Sequence, residues 1–348
     1  LLHNLSSYHK MTVQKRIEAF AQLGTYLQNI AEDELHSLAW RAQNANNWFT
    51  IESVTTALVN IGQMLNTSDL EHWASKYPIS EKLTDRKVGV VMAGNIPAVG
   101  FHDWLCVVLA GHQAYLKLSA LDAVLMHWLV TKLAELVPEM AARTHIAERL
   151  NDVDVIIATG SDNSARYFSH YFGKKPNIIR QNRTSVAILT GTETEEELQQ
   201  LGSDIFTYYG LGCRNVSKIF IPESYDLVPF LAAQEVYSYV QNHHKYHNNY
   251  DYNKSIYLVN RTPHLDTGFL VVAESQELVS PVSVLYYERY ANEQDLLDKI
   301  TALESKIQCV VTNKIIDFQR IVKYGKAQSP LLADYADGVD TMLFLTQN

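Results

Sequence analysis

An α/β fold is predicted from three features of the 348-residue sequence. Short runs rich in Val and Ile recur along the chain, amphipathic stretches at helical spacing separate them, and Gly, Asn and Pro fall at the junctions. Such alternation of strand and helix calls for parallel strands joined by right-handed crossovers. In sheets of that kind, ligands bind at the C-terminal ends of the strands.

Residues 1 to about 80 read as helical: 11–31 carry apolar side chains at helical spacing, and Glu32 or Asp33 opens the next helix. Tyr77-Pro78-Ile79-Ser80 breaks the pattern. Residues 87–92 read as a buried strand ending at Ala93-Gly94-Asn95-Ile96-Pro97. Pro97 suits the first turn of a helix that runs to about Ala110 and stops at Gly111. A strand at 114–118, a long helix from about 120 to 142, a strand at 153–158 and a helix at 163–172 follow, with Thr159-Gly160-Ser161 at the last strand-to-helix turn. Residues 176–183 read as a connector. A second series starts with a strand at 185–189 and a helix at 194–207. Tyr208-Tyr209-Gly210-Leu211-Gly212-Cys213-Arg214-Asn215 comes next, then a strand at 216–221 and a helix at 227–240. The His-, Asn- and Tyr-rich stretch 243–253 reads as a loop or frayed helix end. Strands at 255–259, 269–272 and 282–287, a helix at 293–306 and a strand at 307–312 complete the series, and no internal repeat is visible.

Composition narrows the function classes. With 47% hydrophobic and 19% charged residues, the chain can bury a sizeable core. A net charge of −9 argues against a nucleic-acid partner, though a local basic pocket for a phosphorylated ligand remains open. Cys106, Cys213 and Cys309 lie far apart, with neither CxxC nor zinc spacing, which suits a reducing compartment and predicts no metal centre. No apolar run approaches the roughly 18–20 residues that span a bilayer, and no signal-peptide pattern opens the chain. The expectation is a soluble cytoplasmic protein without a transmembrane segment. The first residue is Leu1, which leaves the natural start open.

Few residues could carry chemistry. Cys213 follows Gly210 and Gly212, which permit a tight backbone and close substrate approach, and Arg214 beside it would favour the reactive thiolate. Asn215 or local backbone N–H groups could orient the site. A buried inert thiol is the plain alternative, and it is the expectation for Cys106 and Cys309. Asn95 stands at a strand end before a helix, where its amide could serve an oxyanion or act as an ordinary N-cap. Lys117 ends a strand, where a cation can hold ribose hydroxyls or a phosphate, or simply face water. Gly160 and Ser161 open a helix whose N–H groups could face a pyrophosphate, or form a plain turn. His243, His244 and His247 have metal-like spacing but no acidic partner, so exposed histidines are expected. GxGxxG, the Gly-Lys-Ser/Thr phosphate loop, GxSxG and HExxH are all missing from the sequence.

Taken in order, these segments resemble the aldehyde dehydrogenase superfamily, and more closely its LuxC-type branch, the acyl-CoA reductases related to the fatty-acid reductase of luminous bacteria. The resemblance runs from about Lys87 to Thr312 and rests on short motifs in a specific order. It implies two Rossmann-like α/β domains with the active site in the cleft between them. Gly94-Asn95-Ile96-Pro97 matches the turn whose amide forms the oxyanion hole, and Cys213 the nucleophile. Lys117-Leu118-Ser119 matches the strand end that holds the adenosine ribose, and Thr159-Gly160-Ser161 the turn near the cofactor diphosphate. Glu277, in Glu277-Leu278-Val279-Ser280-Pro281-Val282, matches a glutamate that holds the nicotinamide ribose; alone it would read as a solvated charge.

Two departures sharpen this. Aldehyde-oxidising members carry a general-base Glu in a Glu-Leu-Gly-Gly-Lys segment, where this chain has Arg180-Gln181-Asn182-Arg183-Thr184. A reductase must avoid the hydrolysis that base promotes, so the resemblance implies reduction of an acyl-CoA or acyl-protein thioester, in its long-chain form, to the aldehyde. The rivals are oxidation of aldehydes by the same fold, a catalytically silent scaffold, and a cofactor-free thioesterase or acyltransferase. In addition, Ser119-Ala120-Leu121 lacks the carboxylate that NAD-preferring members set against the ribose 2′-hydroxyl, which points to NADPH, with NADH still open. The implied domains are 1–180, a helical segment plus the cofactor-binding domain; 181–329, the catalytic domain; and 330–348, a tail. Its Thr341-Met342-Leu343-Phe344-Leu345 stretch could add a strand to a neighbouring subunit or pair within its own chain. Related enzymes assemble as homo-oligomers, and some work beside acyl-activating partners.

Overall fold

The computed structural model describes residues 11–347; the helical expectation for residues 1–10 and the last residue of the tail lie outside them. The chain divides into two compact units, the described parts of Leu1–Asn182 with Leu331–Asn348, and Arg183–Pro330.

The first unit opens with four helices, α1 (Val13–Gln28), α2 (Glu32–Ala45), α3 (Ile51–Met64) and α4 (Thr67–Ala74). Thr12, Thr50 and Asn66 cap α1, α3 and α4, each accepting a backbone N–H of the first turn. A parallel sheet follows. Its strands are β1 (Lys87–Val91), β2 (Gln113–Lys117), β3 (Thr144–Ile146), β4 (Val155–Thr159) and β5 (Asn177–Arg180), in the order β3-β2-β1-β4-β5. Helices α5 (Phe101–Leu109), α6 (Ala123–Leu136) and α7 (Asp162–Phe172) make the crossovers. The core between α1 and α5 is aromatic, with Phe20 and Phe101 each edge-on to the buried Trp104 at 5.6 Å.

The second unit starts with β6 (Thr184–Ile188) and α8 (Glu195–Phe206), the latter held by a capping box between Thr194 and Glu197. Next come β7 (Val216–Pro222), α9 (Val228–Ala233), α10 (His244–Val259), β8 (Leu265–Asp266), β9 (Val271–Glu274), β10 (Val284–Tyr290), α11 (Glu293–Leu303), β11 (Ile307–Val311) and β12 (Ile321–Val322). The sheet order is β12-β11-β6-β7-β10-β9-β8, parallel except for the β8–β9 pair. Val186, Ile188, Phe220, Leu296, Ile300 and Val310 fill the core between sheet and α11. The α/β class and the two sheet-based units agree with the sequence expectation.

Several elements differ from it. Pro97 is not in a helix: it sits buried in a turn where Ala98 takes φ 55°, and α5 begins at Phe101. The long helix expected over 120–142 stops at Leu136, because Pro138 cannot continue the hydrogen-bond ladder and a short 3₁₀ segment, Pro138–Arg143, replaces it. The connector at 176–183 contains β5, an edge strand entered from Pro176, whose carbonyl accepts the Ile156 N–H. His244–Val259, expected as a loop or frayed helix end followed by a strand, form one helix. His243 caps it, and Tyr246, Tyr250 and Asn253 give it a buried face at spacings of four and three. The tail is helical too: α12 (Thr341–Gln347) starts where the Asp340 carboxylate accepts the Leu343 N–H at 2.8 Å. It does not form the strand expected for 341–345.

Candidate active site

In the first unit, β1 lies between β2 and β4, the point where strand order reverses, and crevices form at the C-terminal ends of strands at such points. Asn95 is exposed there, four residues beyond Val91, whose register partners are Lys117 and Ala158. The structure therefore brings Asn95, Lys117, Ser119, Gly160 and Ser161 to one edge of one sheet. The turns are tightly packed. A Cβ on Gly94 would stand 2.4 Å from Ser119 Oγ, and one on Gly160 would stand 2.8 Å from Ser164 Cβ. Both positions are thereby restricted to glycine. Ser119 Oγ accepts the Leu121 N–H at 3.3 Å, and Ser161 Oγ caps α7 by accepting the Ser164 N–H at 3.2 Å. Asp122, three residues after Ser119, is 2% exposed and faces the Ala98 and Val99 amides of the Asn95 loop.

Arg180 stands where the resemblance sets a general base. It is 3% exposed and forms a two-point ion pair with Asp103, with Nη2 at 2.9 Å from both Asp103 Oδ1 and Thr341 Oγ1. Burial alone would lower its pKa, but Asp103 outweighs burial and the value is raised. Arg180 is a charged structural tie, and the Asp103 carboxylate is committed to it.

Cys213 and Glu277 lie on the second unit. Cys213 is half-buried, at the N-terminal side of β7 after a left-handed run in which Tyr208 has φ 55°, Tyr209 φ 57° and Gly210 φ 77°. For the two tyrosines that conformation stores on the order of 1–3 kcal/mol each, and such strain clusters at functional sites. Packing holds it in place: Tyr208 is 7% exposed, and the Tyr209 ring lies 4.4 Å from that of His243. Asn215 then ties the loop. Its Oδ1 accepts the Gly212 N–H at 2.8 Å, and its amide donates to the Asp204, Ile205 and Thr207 carbonyls at the end of α8. Ser185 Oγ donates to the Cys213 carbonyl at 3.1 Å. Asp204 anchors the layer below, accepting the Gly325 and Ala327 N–H groups at 2.6 and 2.9 Å, and burial pushes its pKa up to about 7. Cys106 and Cys309 are buried, which pushes the first thiol well above its usual range and the second up to about 11.

Sequence reasoning missed Lys218 and Ser217, which hold the Glu277 loop, and Asp122. The pattern Cys-Arg-Asn hinted at the Asn215 tie, and a lysine in the middle of an apolar strand was the available signal for Lys218. Of the histidines, His243 accepts the Tyr246 N–H at 3.3 Å and His247 lies 3.5 Å from Asp251 on an exposed face. Among the described residues, no three His, Cys, Asp or Glu side chains gather as a metal site, and no helix is long and apolar enough to cross a membrane.

Solved structures match most of the chain. The fold is that of the aldehyde dehydrogenases. Aldehyde dehydrogenase 21 from Physcomitrella patens, in complex with the product succinate, is similar with a TM-score of 0.67 and 12% identity, covering 98% of this chain and 85% of that one. The Mycobacterium tuberculosis aldehyde dehydrogenase complexed with NAD+ has a TM-score of 0.60 and 16% identity, covering 84% and 71%. A Bacillus cereus aldehyde dehydrogenase, also an NAD+ complex, has a TM-score of 0.60 and 13% identity, covering 88% and 73%. No family model and no curated protein matches the sequence. At such identities the aldehyde dehydrogenase likeness is one of fold.

Proposed function

We propose that the chain reduces an acyl-CoA or acyl-protein thioester, in its long-chain form, to the aldehyde, with Cys213 as covalent nucleophile and NADPH as reductant. The observation that carries this reading is the setting of Cys213. Of three thiols it alone escapes full burial, and it follows a strained turn held in place by Asn215. The fold's likeness to NAD+ complexes supports a nicotinamide cofactor. The first sheet edge suits one: it offers the exposed Lys117 for a ribose or phosphate and the N-terminal amides of α7, beside Gly160 and Ser161, for a diphosphate. Glu277 is assigned to the nicotinamide ribose. The absence of a carboxylate in Ser119-Ala120-Leu121 favours NADPH over NADH.

In the reaction, the Cys213 thiolate attacks the thioester carbonyl. The Asn95 amide and the Cys213 N–H are assigned to the oxyanion, each such donor being worth about 3–4 kcal/mol. The carbon–sulfur bond to the donor breaks, the donor thiol departs with a proton, and an acyl–Cys213 thioester remains. The nicotinamide, when bound, supplies the hydride for that carbonyl. The tetrahedral adduct on Cys213 then collapses, returning the thiolate and releasing aldehyde.

A second reading, oxidation of an aldehyde, is favoured by the neighbours, which are aldehyde dehydrogenases. Arg180 weighs against it. A charged, buried guanidinium paired to Asp103 cannot activate the water that oxidation needs. The deciding experiment incubates the protein with a labelled long-chain acyl-CoA without cofactor, maps the adduct by mass, then adds NADPH. Acylation at Cys213 that NADPH discharges to aldehyde is expected. No adduct from any thioester donor, in folded protein that binds NADPH, rejects the reductase; turnover of aldehyde with NAD+ in the same protein would then establish the second reading, and its absence a silent scaffold.

A further inference from the structure

Lys218 has no exposed surface, although it lies in β7 only five residues beyond Cys213. Its ammonium donates to the Gln276 carbonyl at 3.1 Å and to the Glu288 carboxylate, which also pairs with Lys299 at 3.2 Å. The preceding residue, Ser217, donates to the Leu278 carbonyl at 2.9 Å. Successive side chains of a regular strand point to opposite faces, yet these two grip carbonyls two residues apart in a single loop. The register accounts for it. Ser185 pairs with Val216 and Val186 with Lys218, so Ser217 is the extra residue of a β-bulge, and bulges re-aim side chains.

The gripped loop is the one that carries Glu277. Its backbone is held on both sides of that residue, through the Gln276 and Leu278 carbonyls, and the Glu277 N–H donates to Ser275 Oγ at 3.1 Å. Leu278 is buried beneath, while Glu277 itself is exposed. Burying an ammonium is unfavourable unless it is fully paired, and an apolar side chain would fill the same volume with less desolvation. What the lysine adds is a fixed point for the loop.

We propose that Lys218, seated by the bulge at Ser217, is a positioning residue for Glu277 and so sets the affinity for the nicotinamide nucleotide while leaving acylation of Cys213 unchanged. This rests on the reading of Glu277 as a ribose ligand. The test compares the full chain with Lys218→Met, Lys218→Arg, Ser217→Ala, Glu277→Gln and the Lys218→Met/Glu277→Gln double variant. Hydrogen exchange is followed without cofactor, NADPH affinity by titration, and acylation by acyl-CoA alone. In Lys218→Met, amides 275–279 exchange at least about tenfold faster, a local opening and not a global one. The NADPH Kd rises roughly tenfold, and acylation stays within about twofold. Lys218→Arg restores most of both losses, Ser217→Ala shows a weaker version of each, and Lys218→Met adds nothing in the Glu277→Gln background. Unchanged exchange at 275–279 overturns the positioning role, and Ser217→Ala carries that test should Lys218→Met not fold. Faster exchange with unchanged affinity, or an affinity loss that persists undiminished in Glu277→Gln, overturns the link to Glu277. Wild-type protein that binds neither NADPH nor NADH overturns the cofactor reading and the affinity role with it, while the exchange pattern still decides whether Lys218 holds the loop.

Discussion

Asp122 shows how one carboxylate can couple the first unit to pH. It is 2% exposed, and neither oxygen has a partner in full hydrogen-bonding geometry. The Ala98 and Val99 amides face it and favour the charged form, but burial dominates and pushes the pKa up to about 8. The folded state therefore holds this proton more tightly than the unfolded chain does. Between about pH 4 and pH 8, stability falls as pH rises, because folding must increasingly bury a charge. Below that window both states are protonated and the penalty is absent; above it the penalty is complete. Asp122→Asn removes the ionisation, so its stability relative to wild type should grow from pH 5 to pH 8, by on the order of a few kcal/mol at the upper end. Thermal melts at pH 5, 6.5 and 8 check this, since other titrating groups, Asp204 included, are common to both proteins. A difference that stays constant across pH would mean that Asp122 is ionised throughout.

At the scale of elements, the Cys213 loop stands on one side chain. Asn215 makes its four bonds to a single layer of backbone, one accepted from Gly212 and three donated to the end of α8. Asn215→Ala would leave buried carbonyls and an N–H unsatisfied, at a cost of about 1–3 kcal/mol for each group that water cannot reach. It should also let Tyr208 and Tyr209 relax from their left-handed conformations. The expected outcome is a stability loss of about 2–4 kcal/mol by urea denaturation, with acylation of Cys213 slowed more than tenfold in protein that is still folded. Stable protein with normal acylation would show that the turn holds itself. Part of this loop was legible in the sequence: Gly210, Gly212 and Asn215 are residue types with few alternative uses. The positive φ of Tyr208 and Tyr209 was not, because tyrosine carries no signal for that conformation and only tertiary packing imposes it. Elsewhere the same split recurs. The Val- and Ile-rich strands β1, β4, β6 and β11 could be read because burial on both faces demands such runs. Helix α10 could not, because its buried face is made of Tyr246, Tyr250 and Asn253, and Ile256, Tyr257 and Val259 read equally well as a strand.

For the whole molecule, the chain's last segment returns to the first unit after the second is complete. Four side chains of residues 331–347 enter that unit's interior: Leu332, Tyr335, Met342 and Leu345 are all buried. Tyr335 accepts the Trp73 Nε1–H at 2.9 Å, Tyr77 donates to Asp340 at 2.9 Å, and His112 Nε2 lies 3.0 Å from the Leu345 carbonyl. Arg180 completes the tie through Thr341. Residues distant in sequence thus complete the core of the first unit, a long-range packing that no local pattern in residues 11–182 could reveal. Met342 is fully buried, so Met342→Ala should cost about 2–5 kcal/mol. The loss should also be local. Because the second unit has its own core, hydrogen exchange should quicken in 11–182 and 331–347 while protection in 183–330 stays as in wild type. Equal loss of protection in both units would instead mean that the two unfold as one cooperative body, and that the tail stabilises the entire chain and not the first unit alone.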